Sequence, residues 1–155
     1  MVTLEGVNGF KEAIQFLNSQ SSLNRLESDI NLSKAAEAIA EQFSRTREKK
    51  RINHSNIHEI INRYGTTDGG NIGISIDFGN DNVEMLIISL ITDDGRKERK
   101  NRKTMFDYNY NKIGCSSKFS KFHKNVAVIL YANDFFSKNE RDNYYNQYGK
   151  INYIN

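Results

Sequence analysis

Proline is absent from all 155 residues, against an average usage of about 5%, and cysteine occurs only once, at Cys115. With Asn, Ile and Lys heavy, the missing proline reads as the product of an AT-rich genome, a matter of provenance and not of mechanism. A single thiol excludes an internal disulfide framework. No apolar run approaches the roughly 20 residues that a helical membrane span needs. Met1-Val-Thr-Leu-Glu-Gly6 lacks a basic start and no apolar stretch follows it, so no signal peptide is expected; Val2 excludes the glycine that myristoylation requires. The net charge of +3 is too small to imply a nucleic-acid partner by itself. These absences together lead us to expect a soluble chain, cytoplasmic or otherwise intracellular.

Several catalytic signatures are missing as well. His54 and His58 stand four apart with Glu59 after the second, whereas a zinc protease needs Glu directly after the first. Gly69-Gly70 precedes no Lys-Ser or Lys-Thr, which excludes a phosphate-binding P-loop. No Gly-x-Ser-x-Gly elbow occurs, and Cys115 carries no nucleophile signature; its apolar strand context predicts a core thiol.

What is present is the content of one domain, large enough to bury roughly two thirds of its unfolded surface. Residues 71–135 organise it. Ile72, Ile74, Ile76 and Phe78 alternate with small or polar partners, the period of a half-buried strand. Asn80-Asp81-Asn82 offers cap oxygens to a helix burying Val83, Leu86, Ile87, Leu90 and Ile91, which Asp93-Asp94-Gly95 stops. Ile87, Leu90, Val128 and Leu130 are the expected core. Strands are expected near 71–78, 111–117 and 125–133.

Upstream, Phe10, Ala13, Ile14 and Leu17 give an apolar face to a first helix with Asn8 as candidate cap. Asn31 or Ser33 starts a second, alanine-rich helix ending near Phe43. Residues 45–51, five basic and one acidic among them, suit that helix's C-terminal dipole. Ser55 caps a third helix, 56–64, which Gly65 closes. The C-terminal segment is rich in Tyr and Asn and is expected to pack back on the domain or dock to another chain.

The order of motifs carries a resemblance. His54-Ser55, then Gly70-Asn71-Ile72, Asp93-Asp94-Gly95, Arg99-Lys-Asn-Arg102, Met105-Phe106, Ile113-Gly114 and a final apolar strand resemble the CAP superfamily of cysteine-rich secretory proteins, venom antigens and pathogenesis-related proteins. The form it resembles most is the short-loop type of bacteria and single-celled eukaryotes, which makes a protist one expected source. Secreted animal members are disulfide-rich, so one cysteine points to a reducing compartment or a microbial lineage. The resemblance covers about residues 10–136. It implies an α+β fold, a three-layer α-β-α sandwich around a mixed, mainly antiparallel sheet, with a CAP-like domain over residues 1–136 and a Tyr/Asn-rich tail over 137–155.

The resemblance also implies a cavity of two His and two acidic residues, which binds a divalent metal in some members. Those positions fall on His54, Gly70, Asp94 and Asn101. Only His54 and Asp94 keep a titratable ligand, and a zinc site wants three or four. The expected cavity is therefore degenerate, with no metal and no cofactor, unless Asp68 or His58 substitutes. His54 then reads as a structural histidine bonded to backbone or to Asp94, and Asp93-Asp94-Gly95 as a helix stop.

Residues 96–103 form the densest charge cluster, six basic residues to one acid. Arg96, Lys97, Arg99, Lys100, Arg102 and Lys103 are expected in a basic loop that meets a partner: an acidic protein assembly such as a cytoskeletal lattice, or an acidic lipid surface. Nucleic acid is the weaker candidate, since no aromatic residues interleave with the cations. The leading expectation is a non-enzymatic binding or structural module. The alternatives are metal-dependent or hydrolytic chemistry at His54 and Asp94, and nucleic-acid binding through the loop.

Overall fold

The computed structural model describes residues 3–47 and 54–148. Its elements are α1 (Val7–Ser19), β1 (Glu27–Ser28), α2 (Ile30–Ser44), α3 (His54–Tyr64), β2 (Ile72–Phe78), α4 (Val83–Thr92), α5 (Lys100–Met105), β3 (Lys112–Ser120), β4 (Lys124–Ala132) and α6 (Lys138–Tyr148). The four strands lie in the order β1-β3-β4-β2. β4 is antiparallel to both β2 and β3, while the two-residue β1 joins β3 in parallel, so the sheet is mixed. The fold is the expected α+β type.

Alternation along β4 builds the two sides of the sheet. Val126, Val128, Leu130 and Ala132 face α2 and α3, where Leu32, Ala35, Ala36, Ile39, Ala40 and Phe43 complete a fully buried layer. Ala127, Ile129 and Tyr131 face the other way, onto Leu86 and Leu90 of α4. Small residues let α2 lie close to the sheet. Gly114 is the extreme case: a Cβ there would stand 2.3 Å from the Leu32 carbonyl carbon and 2.4 Å from the Ser33 nitrogen. That crowding is the physical content of the Ile113-Gly114 motif.

Local signals set most boundaries. Asp29 caps α2, its carboxylate accepting from the Asn31 and Leu32 N–H groups at 2.9 Å each. Asn82 caps α4 through the Met85 N–H at 3.1 Å. Asp93, at φ 46°, ends α4 in the left-handed region one residue before Asp94. β3 runs three residues further than expected, to Ser120, because its register with β4 continues to Lys124.

Several expectations need correction. α1 begins at Val7 behind Gly6, with no cap from Asn8. Its Ile14 and Leu17 are exposed, because only Gly9 and Ala13 of that helix are buried. Cys115 is exposed and not a core thiol. Of the expected core, Leu90, Val128 and Leu130 are buried and Ile87 is half-buried. The basic segment is not simply a loop, since α5 forms within it. Arg47 is described, and the rest of the 45–51 basic run falls outside the described residues from position 48 onward.

Candidate functional site

A hollow of about 210 Å³ opens at the outer edge of β2. Ile74, Ile76 and Phe78 from β2 and Ile57 from α3 give it an apolar floor, and Arg96, Lys100 and Asn101 form its polar rim. The rim is held by the turn between α4 and α5. α5 starts on Arg99, which sits at φ 49° and offers no side-chain cap. Asp93 supplies the missing one: its carboxylate accepts from the Asn101 N–H at 2.7 Å and from the Asn101 carboxamide at 2.9 Å. Asp93 is itself only 3% exposed. Two polar groups thus satisfy one another and fix the hollow's wall.

The neighbouring Asp94 turns the other way. Its carboxylate accepts from the backbone N–H groups of Leu4 at 2.5 Å and Glu5 at 2.9 Å, tying down the segment before α1. Glu5 in turn accepts from the Gly95 N–H at 2.8 Å and from the Arg99 guanidinium through both oxygens. Arg99 also reaches Glu12 at 2.9 Å. Arg102, 2% exposed, donates to Glu12 through two nitrogens, at 2.6 and 2.9 Å, and to the carbonyls of Ile91 and Thr92. Its guanidinium lies 5.1 Å from the centre of the Phe16 ring, and Phe16 packs edge-on against Phe106. The Arg99 guanidinium, helped by the Gly95 N–H, holds the Glu5 carboxyl down to about 2, and Arg102 lowers that of Glu12. Its hydrogen bonds to Glu5, with Glu12 close by, push Arg99 above its ordinary value.

The six expected partner-facing cations therefore divide into two sets. Arg99 and Arg102 spend their guanidiniums inside the fold, a correction to the expectation that all six meet a partner. Arg96, Lys97, Lys100 and Lys103 are exposed. Arg96 stands 3.9 Å from the Asp93 carboxylate with most of its side chain in solvent.

The four cavity positions also separate. Asn101 lines the hollow. Asp94 is committed to the N-terminal backbone, and Asp93 is the acid that meets Asn101. Gly70 lines a different depression, with Asn133 and Tyr110. A Cβ on Gly70 would lie 1.8 Å from the Asn133 side-chain oxygen, so Asn133 fills the space a side chain at 70 would need. His54 opens α3, but its side chain lies outside the described residues. Among the described residues no three His, Cys, Asp or Glu side chains gather closely enough to hold a metal. Of these positions Gly70 and Asn101 offer no carboxylate or imidazole, and Asp94 is engaged by backbone N–H groups. Of the suggested substitutes, His58 is exposed and Asp68 has its N–H on the Asp134 carboxylate. His123 is a structural histidine, bonded to the Thr46 carbonyl at 3.1 Å and packed edge-on against Phe78.

Sequence reasoning missed Glu5, Glu12 and Asp93. Neither of the first two carries a local signal: Glu5 precedes α1, with Gly6 between it and that helix outside helical geometry, so no helical spacing relates it to Glu12. For Asp93 against Asp94, only the left-handed turn decides which carboxylate points where.

A model of the cysteine-rich secretory protein family, CAP, matches residues 4–133. The chain belongs to the CAP family. Comparison with curated protein sequences finds no match. Among solved structures, an outer surface protein from Borrelia burgdorferi is similar at a TM-score of 0.52 and 17% identity, over 81% of this chain and 89% of that one. The hookworm platelet inhibitor is similar at 0.41 and 14%, over 81% of this chain and 64% of that one. At such identities the first likeness concerns the fold alone. As a CAP domain, this chain pairs an apolar hollow with a cationic rim. Among its described residues it contains no helix long and apolar enough to cross a membrane.

Proposed function

We propose that this CAP domain is a non-enzymatic binding module that engages an acidic surface through Arg96, Lys97, Lys100 and Lys103. One observation carries the reading: the cluster is sorted, with two arginines neutralised by Glu5 and Glu12 and the other four cations left in solvent, Arg96 and Lys100 among them on the rim of the hollow. Like charges this dense repel one another, so the exposed set gains most from an anionic partner. The apolar floor between α3 and β2 then accepts a nonpolar group carried by the same partner. Either an acidic protein assembly or an anionic lipid surface supplies that combination.

Hydrolytic chemistry has less support. Asp94, its proposed acid, already accepts two backbone N–H groups, and a general base must be within reach of the proton it takes. The test is retention of the purified chain on phosphatidylserine-containing vesicles and on immobilised polyglutamate, compared with neutral phosphatidylcholine vesicles. We expect retention on at least one anionic surface, weakening as salt is added. Equal retention on the neutral vesicles, or none on either anionic surface, contradicts the proposal.

A further inference from the structure

β3 is paired along its whole length on one side and only at its start on the other. β4 follows it from Lys112 to Ser120, whereas β1 covers Lys112 and Ile113 alone. Among the described residues no strand lies beside residues 114–119 on the outer side. Which backbone groups face that side follows from β1. The carbonyls of Asn111 and Ile113 accept from the Glu27 and Asp29 N–H groups at 2.7 and 2.9 Å. Odd-numbered residues therefore direct their N–H and C=O outward, so Cys115, Ser117 and Phe119 carry the open edge. Their side chains lie on the α4 side of the sheet, where Phe119 is 81% exposed and Cys115 is exposed too.

Natural proteins blunt such an edge with charge, proline or a bulge. Here the register with β4 is unbroken and proline is absent. The one charge between positions 114 and 119, Lys118, points to the opposite side and pairs with Glu37 of α2.

We propose that this edge pairs with the same edge of a second copy of the chain, β3 antiparallel to β3 about a twofold axis at Ser117. The segment is its own complement. With Ser117 facing the same serine of the second copy, every outward N–H of residues 115, 117 and 119 meets an outward carbonyl. Bulky Phe119 lands on the small Cys115 of the other copy, twice by symmetry. Lys118 falls opposite Ser116 of the other copy, so no like charges meet. Lys121, in the turn after β3, arrives at the level of the second copy's β1, where Glu27 is exposed. Base thus meets acid at both ends of the joint. The product is two sheets continued into one, each copy's candidate hollow lying at the far, β2 edge.

The pairing is read by cross-linking. A hydrogen-bonded antiparallel pair places its Cα atoms about 5.5 Å apart, within disulfide range. Ser117→Cys in a Cys115→Ser background should give a disulfide dimer under mild oxidation. Tyr108→Cys in the same background, exposed elsewhere on the chain, should not. Analytical ultracentrifugation of the unaltered chain should show a concentration-dependent dimer. Phe119→Lys, which removes the contact with Cys115 of the other copy, and separately Ser117→Pro, which removes one outward N–H from each copy, should each weaken it by about tenfold or more. The two surface variants keep the test valid if the double exchange at 115 and 117 fails to fold. A chain monomeric at every accessible concentration overturns the proposal, including the case where another protein's strand takes the edge. So does a dimer that ignores both substitutions, or one in which positions 108 and 117 cross-link alike.

Discussion

The two sides of the sheet are held by different physics. Toward α2 and α3 the contact is apolar: Leu32, Ile39, Val128 and Leu130 are wholly buried, and Gly114 lets the helix lie almost on the strand. Toward α1, α4 and α5 the apolar share is smaller, and the outer helix is fastened by Arg99 and Arg102 to Glu5 and Glu12. Burial of apolar surface responds little to moderate salt or to pH, while ion pairs with one solvated partner respond to both. The CAP domain therefore has one half held chiefly by apolar burial, with Lys118–Glu37 and Lys112–Asp29 only at its edge, and one whose outer helix depends more on ion pairs; the candidate site lies along their seam.

The strongest way to break this comparison is in the apolar half. Leu130→Ala should cost about 2–5 kcal/mol, and Leu90→Ala on the α4 side should fall toward the lower end of that range. Chemical denaturation measures both; a larger loss at Leu90 would invert the assignment of the two halves.

Next comes the buried guanidinium. Arg102→Met removes the donors serving the Ile91 and Thr92 carbonyls, which should cost about 1–3 kcal/mol. That loss should persist in high salt, since it is a matter of unsatisfied carbonyls. Arg99 pairs with Glu5 and Glu12, both partly solvated carboxylates, so the effect of losing it should fade with salt. Melting temperatures of Arg102→Met and Arg99→Gln across a salt series separate the two, and parallel salt dependence would contradict the distinction.

Acid sharpens the comparison further. Glu5 titrates at about 2 in the folded chain against an ordinary 4.5. Its lowered pKa means the folded state favours the carboxylate. The resulting stability is complete above about pH 4.5 and is lost as pH falls toward 2. Glu5→Gln should flatten the acid limb of the melting-temperature profile while leaving the core's contribution unchanged. An identical acid limb would show that this fastening contributes nothing.

Much of this is legible in the sequence, and the exceptions have physical causes. Periodicity locates β2, α4 and β4, and Asn82 stands in plain view as a side chain able to accept from a helix's first N–H groups. Ser137 and Glu140 are equally readable and went unused. They form a reciprocal cap for α6, Ser137 N–H to the Glu140 carboxylate at 2.8 Å and Glu140 N–H to the Ser137 hydroxyl at 3.3 Å. The charge cluster is visible as density, but its division is not. Whether Arg102 is inside or outside depends on α1 bringing Glu12 to it across 90 positions of chain, which no local pattern encodes. The same holds for Gly70, whose missing side chain is replaced in space by Asn133.

The smallest expected effect on stability belongs to the exposed cations. Lys97→Gln should move it by no more than about 0.5 kcal/mol. That near-neutrality makes the decisive measurement possible. Arg96, Lys97, Lys100 and Lys103 are changed together to Gln, and retention on phosphatidylserine vesicles and on polyglutamate is compared with that of the parent and of His54→Ala. We predict that the fourfold variant melts like the parent yet loses retention, while His54→Ala keeps it. Retention that survives the fourfold change but is abolished by His54→Ala would contradict the account and place the working site in the cavity.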